Sequence, residues 1–174
     1  MSLSLYDTSV PSYLQILGGV ANVLAAGEKY AAENGLDLEE LINFRLRDDM
    51  APFSFQVVSV WHHSLGAIRG IKAGEFAPPP ALEALDYSKL QSLVAEASEE
   101  LQAESPDAIN ALADKNMVFK VGGNEIPFTN VNFIQSFSLP NFYFHATTTY
   151  DMLRMHGVPL GKMDYLGALR VGAP

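Results

Sequence analysis

Apolar residues along this chain recur mainly three and four positions apart, the period of a helix with one buried side. After Ser9 and Pro11, a helix start, Tyr13, Leu14, Leu17, Ala21, Leu24 and Ala25 keep that spacing until Asn34–Gly35, a helix stop. A first long helix is predicted there. Asp37 caps a short helix through Leu38, Leu41 and Phe44, and Asp48, Asp49 and Pro52 restart the chain into a second long helix ending near Ala73–Gly74. A third begins near Ser88 and carries Leu90, Leu93, Val94, Ala97 and Leu101 on one side. The period then shortens: Met117 to Phe128 suits a small hairpin turning at Gly122-Gly123-Asn124. Thr129 or Asn130 caps a fourth long helix that Gly157 and Pro159 stop. Within it Pro140 lacks a backbone donor and presses on the carbonyl of Ser136, which predicts a kink or two abutting helices at Leu139–Pro140. The pattern as a whole predicts an all-α fold of four long helices with a small β-hairpin between helices three and four, one domain over residues 1–174.

The faces of two helices matter for function. On helix two, Phe53, Val57, Val58, Leu65, Ile68 and Ile71 fall near Trp61 and mark the stripe expected to face the bundle. His62 flanks that stripe. His63 lies nearly opposite, among Gln56, Ser59, Gly66, Ala67 and Gly70, small residues that admit a partner helix or line a cavity. Helix four is apolar all round, since Phe128, Phe133, Phe137, Phe142, Tyr143, Phe144 and Tyr150 point in nearly every direction. Either one side meets a second copy in a homodimer, or the hairpin and the carboxy-terminal segment cover it.

Composition narrows the chemistry. At 174 residues, with 48% hydrophobic and 18% charged residues, the chain is long and apolar enough for one core. A net charge of −9 and a pI near 4.8 leave no phosphate-neutralising surface, so nucleic acid is excluded as a partner. The acids cluster: residues 75–107 hold eight against Lys89 alone, a solvated face for helix three. With no cysteine, thiolate-bound zinc, iron–sulfur clusters and thiol nucleophiles are excluded. Met1 to Val10 lacks the pattern of a secretory signal and no run reaches eighteen uninterrupted apolar residues, so no membrane partner and a cytoplasmic location are expected. Neither a phosphate-cradling glycine loop nor a Gly-x-Ser-x-Gly elbow is present.

Candidate chemistry therefore rests on four histidines. His62 and His63 are neighbours whose side chains diverge by about one hundred degrees on an α-helix, so only one of them is expected to face a shared centre. His145 and His156 share a face of helix four but stand about 16 Å apart, too far for one ion. Asp151 and Asp7 are the first candidates for an acid–base partner, and Tyr143 and Tyr150 for pocket hydroxyls.

The four-helix order, the opening Met1-Ser2-Leu3-Ser4-Leu5-Tyr6-Asp7 with Val10-Pro11, Asn43-Phe44-Arg45-Leu46 before Asp49-Met50, and above all Leu139-Pro140-Asn141-Phe142-Tyr143-Phe144-His145 with Thr147-Thr148 and Gly157-Val158-Pro159-Leu160-Gly161-Lys162 resemble an uncharacterised bacterial domain-of-unknown-function family of the DinB/YfiT-like superfamily. That resemblance implies an up-down-down-up four-helix bundle, frequently a homodimer. It also implies a divalent metal, held in several members by one histidine of helix two and a His-x-x-x-His pair of helix four. Better understood branches transfer low-molecular-weight thiols. Here Asn141 stands four residues before His145 and Thr149 four after, so the pair is reduced to one histidine. What the resemblance implies for this chain is a degenerate site for zinc or nickel built from His62 or His63, Asn141 and His145, with most of the shell left to water. The alternative is that His145 is a buried hydrogen-bonding histidine near Pro140, partnered by Thr148, Thr149 or a freed carbonyl. Two functions follow: a metal-assisted transferase or hydrolase acting with a thiol or water, or a non-catalytic homodimeric bundle that binds a small apolar ligand or a protein.

Overall fold

Ser4 opens the first helical turn, α1 (Leu5–Thr8), by a reciprocal cap in which its hydroxyl accepts from the Asp7 amide and the Asp7 carboxylate accepts from the Ser4 amide. The computed structural model to which these residues belong describes residues 3–82 and 85–172. Met1 and Ser2 of the opening motif and Glu83 of the acidic run lie outside the described residues. Helix α2 (Val10–Asn34) ends at Gly35 with φ 72°, the left-handed cap the sequence provides. Ser9 precedes it, but its hydroxyl donates back to the Leu5 carbonyl at 2.6 Å, so Pro11 sets the start without a side-chain cap. Asp37 accepts from the amides of Glu39 and Glu40 and caps α3 (Leu38–Asn43).

The second long helix begins directly after Pro52, the last residue of the Asp48, Asp49 and Pro52 restart. It runs as α4 (Phe53–Trp61), widens into a π turn, π1 (His62–Gly66), and continues as α5 (Ala67–Ala73) to Gly74. Asp86 caps α6 (Tyr87–Gln102), which is followed by the short α7 (Pro106–Asn110). Thr129 caps α8 (Asn130–Phe133), a second π turn, π2 (Ile134–Ser138), follows, and α9 (Leu139–Met155) completes the last long helix. Where a kink or two abutting helices were expected at Leu139–Pro140, the chain has a π turn just before Pro140 and continues as one helix. A final helix, α10 (Lys162–Leu166), lies against α2. Its approach depends on Gly19, where a Cβ would come within 2.0 Å of the Tyr165 carbonyl oxygen.

Strand β2 (Asn116–Val121) pairs antiparallel with β3 (Asn124–Thr129) across Gly122 and Gly123, both at positive φ as a two-residue hairpin turn of the primed kind requires. Strand β1 (Glu75–Phe76) adds in parallel to β2, so the sheet has three strands and order β1-β2-β3. Two residues after a helix stop carry no periodic signal, which is why the third strand is absent from the pattern.

The core lies where α2, α4, α6 and α9 meet, around Tyr13, Leu17, Leu24, Phe53, Ile68 and Phe142. One expectation about faces is corrected. Helix two is not two-sided: Gln56, Ser59, Ala67 and Gly70 are as buried as Val57, Leu65 and Ile68, both histidines are buried, and Trp61 itself is only half-buried. It packs against both α6 and α9. Helix four keeps apolar rings on its open side too, which bears Pro140, Tyr143, Phe144 and Thr147. On α6 the acids face outward, and Glu96, Glu100 and Glu104 reach Arg69 and Lys72 of α5. The run Leu5–Asn34 is apolar enough by length and composition to cross a bilayer, and half of its most apolar stretch is buried among the other helices, as in a core helix.

Candidate functional site

The π turn in helix two decides where its histidines go. A widened turn rotates the following side chains relative to an α-helix, so His62 and His63 are both buried and their ring centroids stand 5.7 Å apart. Burial is shared, but the two rings take different partners. His62 donates from Nε2 to the Ala77 carbonyl at 2.7 Å, since a carbonyl only accepts, and its ring stacks on Phe76 at 4.4 Å. Gly66 leaves the room: a Cβ there would fall 2.8 Å from His62 Nδ1.

His63 sits at the centre of the cluster. Its ring lies 6.0 Å from that of His145, with planes only 12° apart, and Phe76 and Phe137 wall it in at 5.6 and 5.5 Å. Its Nδ1 is buried with no hydrogen-bond partner among the described residues. His145 comes from the first turns of α9. Its Nδ1 is 2.7 Å from Gln56 Oε1, while the Gln56 amide nitrogen donates to the Ala51 carbonyl at 3.0 Å. That second bond fixes the amide: Oε1 accepts, His145 carries its proton on Nδ1, and Nε2 keeps its lone pair. Phe55 and Phe144, both exposed, flank this ring at 5.9 and 5.2 Å.

Burial governs the charge state. It pushes His63 down to about 3, helped by the neighbouring His62 and His145. His145 is pushed down to about 4 by burial, and His62 is lowered by burial against the opposing effect of its bond to Ala77. The cluster is therefore a set of neutral imidazoles at pH 7.

Other expected residues stand elsewhere. Asn141 donates its amide to the Phe137 carbonyl at 2.7 Å, which leaves only its oxygen for any other partner. Thr148 and Thr149 donate to the carbonyls of Phe144 and His145 and do not touch the His145 ring; Gln56 takes that place. Asp7 is spent on the Ser4 cap, Asp151 is exposed, and Tyr150 accepts from Arg154. His156 packs edge-on against Phe44 at 4.4 Å, at the other end of α9. Gln56 escaped notice as a partner of His145 although it shares a helix side with His63; an amide within an otherwise apolar and small-residue run was the available signal.

The donor set tests the metal that the superfamily implies. Among the described residues no three His, Asp or Glu side chains come together to hold an ion. His63 and His145 face each other, but the Nε2 of His62 is bound to a backbone carbonyl. These residues do not fit a three-histidine centre. Beside them, a groove of about 370 Å³ runs along Phe55 and Val58 under Pro79, Pro80 and Leu82.

Comparison with known proteins agrees with this architecture. A crystal structure of a DinB family member protein from Shewanella denitrificans superposes with a TM-score of 0.80 at 26% sequence identity, over 98% of this chain and 96% of that one. No curated protein matches the chain. Residues 5–166 match the family described as a domain of unknown function, DUF1993, and the chain belongs to that family.

Proposed function

We propose that this chain is an up-down-down-up DinB-like bundle, paired with a second copy through its last long helix, whose histidine cluster is a degenerate metal centre. The observation that carries the reading is the facing pair His63 and His145, two neutral imidazoles at 6.0 Å with His62 diverted to Ala77. Neutral imidazole is the form that ligates, and two Zn–N bonds of about 2.0–2.1 Å with the adjoining half-rings span a comparable distance. Two nitrogens leave half of a tetrahedral shell to water or to the Asn141 oxygen, a weak ligand for zinc or nickel. Weak, reversible binding follows. A small apolar or thiol ligand suits the groove beside Phe55. The pairing is supported by Phe144, 58% exposed, and Tyr143, 38% exposed, on the open side of α9 beside Pro140. A cytoplasmic location accords with the same reading.

Calorimetric titration of untagged protein with zinc and with nickel tests the site. Weak uptake that disappears in His145→Ala is expected, and no uptake at millimolar ion overturns it. Tight stoichiometric binding replaces it with the second reading, a divalent-metal-dependent transferase or hydrolase acting on a thiol or water. Sedimentation at micromolar concentration should give the mass of two subunits; a mass near one subunit removes the homodimer.

A further inference from the structure

The two π turns of this fold meet in its interior. Helical serine and threonine hydroxyls in this chain ordinarily bond back to their own helix: Ser64 to Val60, Ser136 to Asn132 and Thr149 to His145, each to the carbonyl four residues earlier. Ser138, the last residue of π2 and fully buried, does otherwise. Its hydroxyl lies 2.6 Å from the carbonyl oxygen of His63 in π1 and 2.7 Å from the Tyr13 hydroxyl of α2. A carbonyl only accepts and a serine hydroxyl has one proton, so Ser138 donates to His63 and accepts from Tyr13. Tyr13 is fully buried, packs edge-on against Phe142 at 5.0 Å, and burial holds its phenol well above the ordinary range, so it remains a donor. Next to Ser138 in the same π turn, Phe137 places its ring 5.5 Å from that of His63.

We infer that Tyr13 and Ser138 are positioning residues: their two hydrogen bonds, running from α2 through π2, pin the carbonyl of His63 and so set where its ring stands against His145. The inference rests on the histidine pair being the working site of the protein. Backbone groups in a widened turn are less tightly held than in an α-helix, and π turns recur at functional positions. A hydroxyl reaching across from another helix fixes the turn where it bears the central histidine, as outer-shell partners fix ligating imidazoles elsewhere.

Nuclear magnetic resonance of the imidazoles at neutral pH, without added metal, tests this in Ser138→Ala and Tyr13→Phe. Ser138→Ala should move the His63 ring signals and the ring-current shift felt at His145. Tyr13→Phe should move the same signals less. The control is Leu93→Ala on α6, which should lower the melting temperature and leave these signals in place. Wild-type His63 signals in Ser138→Ala overturn the inference, as does a control that moves them equally. Should Ser138→Ala fail to fold, Tyr13→Phe decides by the same signals, since it deletes a single oxygen. A wild type that takes up no zinc while Ser138→Ala still moves His63 removes the metal reading and keeps this one.

Discussion

Helix two and α6 lie side by side in this bundle and obey different rules. On α6 the buried residues Tyr87, Leu90, Leu93, Val94, Ala97 and Leu101 keep strict helical spacing, and the acids between them face water. Helix two, packed against both α6 and α9, buries most of its residues from Phe53 to Ile71, polar ones included, and leaves Phe55 and Arg69 exposed. A one-sided helix announces its inner face by contrast. A helix surrounded by others offers no contrast, and its polar residues are then placed by hydrogen bonds, as Gln56 is by Ala51 and His145, and Ser64 is by Val60.

The largest expected effect that sharpens this comparison comes from packing. Ile68→Ala on helix two should cost about 2–5 kcal/mol in urea unfolding, whereas Ser92→Ala on the exposed side of α6 should stay within about 0.5 kcal/mol. Equal costs would erase the distinction.

Acid comes next. His63 and His145 titrate at about 3 and about 4 in the folded chain against 6.5 for an unperturbed histidine, so the unfolded chain takes up protons first as the pH falls. Their contribution is complete above about pH 6.5 and drains away towards pH 4 and below, at about 1.4 kcal/mol for each unit of depression. Denaturation midpoints measured between pH 7 and pH 4.5 should fall steeply in wild type and less steeply in His145→Gln; parallel slopes would locate the acid sensitivity away from His145.

Gly66→Ala asks how closely the π turn is fitted. The new methyl must displace the His62 ring, and about 1–3 kcal/mol of destabilisation with a weakened His62–Ala77 bond is expected by unfolding and by imidazole resonance. Smallest of all is the ionic link between the two helices. Arg69 and Glu100 are half-exposed at 2.7 Å, so a double-mutant cycle to alanine should return about 0.2–1 kcal/mol and shrink in high salt.

These contrasts explain what the residue pattern could and could not convey. The caps at Asp37 and Thr129 and the stops at Gly35 and Gly74 are local chemistry, and they stand where the pattern puts them. The single-faced α6 was legible for the same reason. The inward side of helix two was not, because polar and apolar residues are buried there alike, and which of His62 and His63 stands against His145 is set by tertiary packing. His145 was visible as a candidate, while its partner Gln56 lies 89 residues away and is joined to it only by tertiary packing. The Tyr13–Ser138–His63 chain spans three helices and left no trace in any local spacing.

The small sheet carries a consequence of its own. One border is β1, two residues long; the other is β3, which holds Pro127 and so lacks a donor in mid-strand. Short and proline-bearing borders are poor templates for recruiting further strands. Fibrillar stacking along this sheet is thereby discouraged at both borders, despite the exposed Ile126 beside Pro127. Strand addition is therefore an unfavourable route by which copies of this chain could join.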